Sequence, residues 1–322
     1  MYITREIAYK IAEKLPHNLR DNIRAFKQFN FKGRKHPESQ TLIAVIDGSS
    51  FHGGLGDRLK GIISLFHFCL CRNIPFRIHH TFPFELSDYF IPNEYNWKLS
   101  DSDRMTRHFF EARLINLVAD PSAARLVNLK TKKQIHAYAN RDIVSELNKI
   151  YGTDYSWGKL FKQLFRPAEE LDDTLKRYKN EIGRKYISAV FRFQNLLGDF
   201  KEYDYVPLAD TEKETLIQKC KKSLFELATK SDCRPILVTS DSNCFLEAVS
   251  GMDNIYSFPR KNVHMDTVTG ERHDVYMKSF IDFYLLSDSM KIYSVGTERM
   301  YKTEFPLYAS KVNDIPFERI LI

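Results

Sequence analysis

Six consecutive residues, Gly53-Gly54-Leu55-Gly56-Asp57-Arg58, place three glycines, a carboxylate and a guanidinium side by side. Glycine permits a tight turn with positive φ and lets a ligand approach the backbone without meeting a Cβ. An apolar run, Leu42 to Ile46, enters the loop, and another, Ile62 to Cys71, leaves it. The order therefore reads strand, glycine loop, helix. Such a helix aims free N–H groups and the positive end of its dipole at whatever the loop holds. That chemistry suits an anion, with Gly54 and Gly56 giving access and Asp57 and Arg58 at the mouth. The plain alternative is a glycine turn with Arg58 paired to Asp57 or solvated. The spacing is not G-x-G-x-x-G and no Gly-Lys-Ser/Thr follows, so neither a dinucleotide fingerprint nor a P-loop is supported.

Three loops in the second half carry further candidates. Arg192 sits near the end of the apolar run Ala189 to Phe193, followed by Gly198-Asp199. A guanidinium there must be paired, and it matches phosphate oxygens with two parallel donors. Its structural alternative is a salt bridge to Asp199, which could instead serve as a general base. Thr239-Ser240-Asp241-Ser242 opens a helix. Ser240 or Asp241 could cap that helix, or Asp241 could accept hydrogen bonds from a nucleobase while Ser240 and Ser242 contact ribose or phosphate. Ser294-Val295-Gly296-Thr297 follows a helix ending in Leu285-Leu286-Ser287, and its N–H and hydroxyl groups suit phosphate or ribose.

The elements that must position these residues alternate. The first half reads as strand 41–47, helix 56–72 and strand 75–79, then an aromatic stretch from Phe82 to Trp97, a strand at 125–129, and helices over 140–150 and 156–165. The aromatics could stack on sugar rings, but packing is their default role. Past Pro167 comes a charged helix, 168–182. Strands at 186–193, 235–239, 254–257 and 291–295 then alternate with helices at 211–230, 242–249, 273–286 and 304–309. This order implies parallel sheets with right-handed crossovers, whose ligands bind at the carboxyl ends of the strands. The expectation is an α/β chain of two Rossmann-like domains, 1–166 and 167–322, facing a cleft.

Composition fits a globular protein, with 43% apolar and 28% charged residues among 322. Apolar runs of about ten residues fall short of the ~20 that span a bilayer. The start, Met1-Tyr2-Ile3-Thr4-Arg5-Glu6, lacks the order of a secretory signal. Five cysteines without paired spacing argue against a disulfide framework, and no second Cys/His pair completes Cys69-x-Cys71 as a zinc site. A cytoplasmic location is expected. The net charge of +7 gathers in residues 1–40, which hold nine Lys/Arg against four Asp/Glu. Ile3, Ile7, Ile11 and Leu15, then Leu19, Ile23 and Phe26, recur at helical spacing. Residues 1–30 could rest on an anionic membrane surface, although a helix docked on the domain explains the same pattern. No motif points to nucleic acid.

Taken together, the loops resemble the GDP-fucose-dependent fucosyltransferase superfamily, over roughly 42–97 and 186–310. Gly53 to Arg58 resembles its amino-terminal glycine motif. Val190-Phe191-Arg192 resembles its His-x-Arg motif, with Val190 in place of the histidine. Thr239 to Ser242 resembles its Ser-Asp motif, and Asp282–Ser287 with Ser294–Thr297 its closing motif. The resemblance implies a GT-B scaffold and inverting transfer of fucose from GDP-fucose to a glycan hydroxyl in surface polysaccharide or lipopolysaccharide synthesis. No Asp-x-Asp stands in a suitable loop, so no metal or other cofactor is expected. Arg192, and next Arg58, would stabilise the leaving diphosphate, with Asp199 or Asp57 as base. Gly54, Gly56, Ser240, Asp241, Ser242, Ser294, Gly296 and Thr297 would bind the donor. The alternatives are another nucleotide sugar as donor and a non-catalytic nucleotide- or glycan-binding protein. A dehydrogenase is a distant third, since the glycine loop is wrong for it.

Overall fold

The structure is a computed structural model that describes residues 17–31, 40–99, 105–118, 121–183, 185–200, 206–259, 265 and 274–322. The expected apolar stripe Ile3, Ile7, Ile11 and Leu15 lies outside the described residues. The chain divides into two compact units, one of Met1–Leu86 with Pro92–Arg166, the other of Ser87–Ile91 with Pro167–Ile322.

In the first unit, strands β1 (Leu42–Ile46), β2 (Phe76–His80), β3 (Ala112–Asn116) and β4 (Gln134–Tyr138) form a sheet in the order β2-β1-β4-β3. Every pairing is parallel. The two central strands, β1 and β4, are buried along their whole length, as a parallel sheet covered on both faces requires. On one face lies helix α2 (Leu55–Arg72), packed on β1 and β2 and flanked by α4 (Val144–Tyr151) and α5 (Trp157–Leu164). Helix α1 (His17–Phe26) covers the other, with Ala25 packed against Ile43, Val45 and Tyr138. Asn73 ends α2 in the left-handed region, its N–H returning to the Cys69 and Leu70 carbonyls, a cap that asparagine tolerates.

Two differences from the sequence reading stand out here. The strand expected at 125–129 is instead a short helix, α3 (Ala123–Val127); Pro121-Ser122 starts a turn, and the Arg125 guanidinium donates to the Asn116 carbonyl at 2.9 Å. The strand beside β1 is β4, whose Gln134 and His136 hide it from a hydropathy reading. Burial is permitted because the Gln134 side-chain oxygen accepts from the Thr106 amide at 2.9 Å and lies 2.8 Å from His136 Nε2.

In the second unit, α6 (Glu169–Ile182) leads into β5 (Ile187–Phe191), α7 (Asp210–Lys230), β6 (Ile236–Ser240), α8 (Asn243–Val249), β7 (Ile255–Tyr256), α9 (Asp274–Ser287), β8 (Ile292–Gly296), α10 (Phe305–Asn313) and β9 (Phe317–Leu321). The sheet is parallel, in the order β9-β8-β5-β6-β7. Cys220, Leu224 and Leu227 of α7 and Phe245, Leu246 and Val249 of α8 cover β5 and β6 on one side. Helix α9 packs with α6 and α10. The edge strand β9, absent from the sequence reading, is mostly exposed and so lacks a clean apolar pattern. Of the aromatic stretch, Phe84, Tyr89, Phe90 and Trp97 are buried, which is the packing role. Tyr89 stacks on Phe280 with centroids 4.1 Å apart.

Helix α2 approaches the exit of β4 at Gly61, where an added Cβ would stand 1.9 Å from the Ala139 carbonyl oxygen. No side chain can give way there, because the obstacle is backbone. Gly61→Ala is therefore expected to cost at least the ~1–3 kcal/mol of an overpacked core, seen as a lower urea midpoint. Gly54→Ala, with nothing within 4 Å of the new Cβ, should leave the midpoint nearly unchanged.

Candidate functional site

The strand order of the second unit reverses between β5 and β8, both of which leave the sheet at their carboxyl ends beside each other. A doubly wound sheet opens a crevice at such a point. Arg192 stands there, one residue past β5, and its carbonyl accepts from the Tyr301 amide at 3.3 Å. Its guanidinium lies 3.1 Å from Asp241 Oδ2 and 4.7 Å from the centre of the Phe200 ring. Asp241 follows β6 and is buried. Its Oδ1 accepts from the Phe193 amide at 2.9 Å and its Oδ2 from the Gln194 amide at 2.7 Å. Burial pushes the Asp241 carboxyl above its ordinary value, and Arg192 with these amides pulls it back. Gln194 takes φ +54, a strained conformation for a residue with a Cβ, and the carboxylate holds it there. Ser242 caps α8 by accepting from the Phe245 amide at 3.1 Å. Asp199 adds to this cap, accepting from the Ser242 hydroxyl at 3.0 Å and the Cys244 amide at 2.8 Å. Past β8, the Thr297 hydroxyl is buried and has no hydrogen-bond partner among the described residues.

The first unit has its own reversal, between β1 and β4, and the glycine loop follows β1. Gly53 takes φ +82, and a Cβ on it would meet the Asp57 carboxylate at 2.5 Å, so position 53 requires glycine. Gly54 caps α2 with backbone alone, and Gly56 lies in its first turn. Asp57 pairs with Lys60 at 2.9 Å; the Lys60 side chain is 5% exposed and that of Asp57 41%. Arg58 is buried. Its Nε donates to the Gly53 carbonyl at 3.0 Å and its Nη1 to the Phe82 carbonyl at 2.7 Å. The His80 Nδ1–H must donate to the Phe84 carbonyl, 3.0 Å away, which leaves Nε2 as an acceptor 3.5 Å from Arg58 Nη1. Burial, and then the Arg58 charge, hold His80 neutral. On the other face, Asp47 accepts from Gln28 Nε2 at 2.7 Å, the Ser49 amide at 3.0 Å and the Tyr138 hydroxyl at 3.3 Å. Burial pushes its carboxyl up, but these donors outweigh that and hold it below the ordinary range.

No protein-family model matches the chain, and no curated protein does. Solved structures do. The NodZ α-1,6-fucosyltransferase co-crystallised with GDP matches at TM-score 0.51 and 12% identity, over 85% of this chain and 92% of that one. The fucosyltransferase NodZ from Bradyrhizobium matches at TM-score 0.50 and 11% identity over the same shares. POFUT1 in complex with GDP-fucose covers 89% of this chain and 98% of its own at TM-score 0.47 and 7% identity. What the chain shares with NodZ is the fold. The expected α/β, GT-B-like class is thus the observed one.

Against that fold, the residues singled out in the sequence fall into two sets, one per unit. Arg192, Asp199, Ser240, Asp241 and Ser242 come together at the β5 and β6 ends, with Ser294, Gly296 and Thr297 on and after β8. Gly54, Gly56, Asp57 and Arg58 gather at the start of α2. Three orientations differ from expectation. Arg58 does not stand at the mouth of the loop but is turned inward onto two backbone carbonyls. Asp241 faces the protein instead of a base, since both its oxygens are taken. Arg192 pairs with Asp241 and not Asp199. The sequence reading missed Lys60, His80 and the Asp47 group. The spacing of Lys60 three residues after Asp57, which brings the two together on a helix, was the one available signal for Lys60. Among the described residues no group of three or more His, Cys, Asp or Glu is placed to hold a metal ion.

The first unit buries several neutral histidines. Burial, and then the Arg58 charge, lower His52 from 6.5 to about 3; burial, and then Arg107, do the same to His136. A depressed folded-state value means the stabilisation is whole above 6.5 and is lost as pH falls from there toward about 3. At pH 5 each histidine should remove about 2 kcal/mol relative to neutral pH. The urea midpoint should drop between pH 7 and pH 5, and His136→Gln should flatten that drop.

Proposed function

We propose that this protein is an inverting, metal-independent glycosyltransferase that moves fucose from GDP-fucose to a glycan hydroxyl in surface polysaccharide or lipopolysaccharide synthesis. One observation carries the reading: Arg192 stands at the reversal of a doubly wound sheet, anchored by a buried carboxylate, with the Thr297 hydroxyl, which has no hydrogen-bond partner among the described residues, on the loop beside it. The fold likeness to NodZ, whose structures include one soaked with GDP-fucose, supports the choice of donor.

Breaking the glycosyl–phosphate bond leaves negative charge on the diphosphate. Arg192 meets it with a guanidinium whose direction Asp241 fixes in advance, which is the condition for stabilising a transition state without reorganisation. Ser240, Ser294 and Thr297 supply hydroxyls, and Gly296 an open backbone, for the phosphates and ribose. Gly54 and Gly56 offer a second anion-accepting backbone. The acceptor hydroxyl gives its proton to Asp57 or Asp199. Each keeps one carboxylate oxygen on a protein partner, Lys60 for Asp57 and the α8 cap for Asp199. Arg58 acts through the loop, holding Gly53 in place, and not on the donor. A cytoplasmic location goes with a nucleotide-sugar donor, and the basic residues 1–30 with the inner face of a membrane; no helix among the described residues is long and apolar enough to cross one.

A second reading rests on Val190. It lies buried in β5, so no imidazole accompanies Arg192, and a chain that binds a nucleotide or glycan without transfer would not need one. Another nucleotide sugar would leave the scaffold intact.

The deciding measurement is the melting temperature with GDP, UDP, CMP, ADP and NAD at equal concentration. GDP alone should raise it, by the equivalent of about 2.7 kcal/mol at a hundredfold excess over Kd. A shift with UDP instead overturns the donor, and GDP stabilisation without transfer to any glycan favours the binding protein. Arg192→Ala is a poor probe, since it leaves the Asp241 charge buried without its cation, a loss of about 3–5 kcal/mol. Arg192→Lys keeps the charge and removes the fork. It should lower the transfer rate on the order of 10²–10³-fold while the melting temperature stays near that of the parent.

A further inference from the structure

Helix α1 turns its apolar stripe the wrong way for a docked helix. Ala25 and, just past the helix, Phe29 are buried, whereas Leu19, Ile23 and Phe26 are exposed. Ring contacts join these exposed residues to Phe31, Phe109 and Phe110 through the buried ring of Phe29. Phe26 touches Phe29, Phe29 touches Phe109, and Phe109 stacks on Phe31 with centroids 4.9 Å apart. Phe31 then meets Phe110 at 5.9 Å. Phe31 is 68% exposed and Phe110 70%. The patch is held on ordered backbone: the Asn30 amide donates to the Arg107 carbonyl at 2.9 Å, and the Phe109 amide to the Asn30 carbonyl at 3.1 Å. Large apolar rings exposed in a cluster of this kind mark an interaction face.

The charges beside it select the partner. Arg24 and Lys27 are exposed on α1 next to Ile23 and Phe26. In sequence, residues 19–31 hold Arg20, Arg24 and Lys27 against Asp21 alone. A second copy seated on this face by a two-fold axis would bring like charges together. An anionic surface with an apolar interior satisfies both features, the rings entering the headgroup boundary and the cations meeting lipid charge. We propose that Ile23, Phe26, Phe31, Phe109 and Phe110, with Arg24 and Lys27, form a docking surface for an anionic lipid bilayer. The proposal rests on a face separate from Arg192 and Thr297 and stands whether or not the chain transfers a sugar.

The test is co-sedimentation of the full chain with vesicles of phosphatidylcholine alone and of phosphatidylcholine mixed with phosphatidylglycerol. Binding is expected to the mixed vesicles and should weaken as salt rises. The double variant Phe31→Ser/Phe110→Ser changes two exposed rings and should keep its melting temperature while its vesicle partitioning falls about tenfold or more. Lys27→Glu should weaken binding to the mixed vesicles. Failure of the parent chain to bind anionic vesicles overturns the proposal, as does undiminished binding by the double variant. A dimer in sedimentation equilibrium that the double variant dissociates, without vesicle binding, would overturn it too and give the face to a second copy.

Discussion

Both sheets end in a buried charge that is met by the backbone. In the second unit it is a carboxylate: Asp241 collects the amides of Phe193 and Gln194 and the Arg192 guanidinium. In the first it is a guanidinium: Arg58 collects the carbonyls of Gly53 and Phe82. An ion taken out of water costs several kcal/mol unless donors or acceptors replace its hydration, so these loops are determined by the charge they enclose. Gln194 can remain at a positive φ, and Gly53 can hold its turn, because leaving those conformations would strand an ion.

The two arrangements have opposite outcomes at the surface. Asp241 directs a cation outward, so Arg192 keeps part of its side chain, 21%, in solvent. Arg58 is itself the enclosed ion and leaves the exterior of its loop to backbone N–H groups, Asp57 and the half-exposed turn before it. One unit thus presents a side-chain charge and the other presents backbone. Both can address an anion, and neither depends on the other for its internal geometry.

The alternation of strands and helices was legible because buried parallel strands are short apolar runs, as in Ile187–Phe191 and Ile236–Ser240, and long helices such as Asp210–Lys230 repeat their apolar residues at helical spacing. The failures have specific causes. β4 carries Gln134 and His136 inside the fold, satisfied by each other and by Thr106, and no hydropathy pattern records that. Residues 123–129 contain a strand-like Leu-Val but fold as a helix after Pro121-Ser122. At the sites, residue types and their placement at strand ends could be read, but not the direction of the side chains. Arg58 donates to the carbonyls of Gly53 and of Phe82, the latter 24 positions away, and a carbonyl leaves no trace in a sequence. The outward face of α1 was hidden for a related reason: Leu19, Ile23 and Phe26 look like a core stripe until Ala25 is seen against the sheet.

Helix α2 is keyed to the segment after β4 at two points. Gly61 lets the helix rest on the Ala139 carbonyl, and one turn later the Ser64 hydroxyl donates to the Arg141 carbonyl at 3.1 Å and accepts from the Ile143 amide at 3.0 Å. The helix and residues 139–143 are therefore tied together at both points. Upstream of the helix, the segment between Asp47 and Gly53 turns at two glycines with positive φ, Gly48 and Gly53, the second fixed by the Arg58 guanidinium. The entry to the loop is held by the hydrogen bonds that gather on Asp47, so its shape is set before the helix begins.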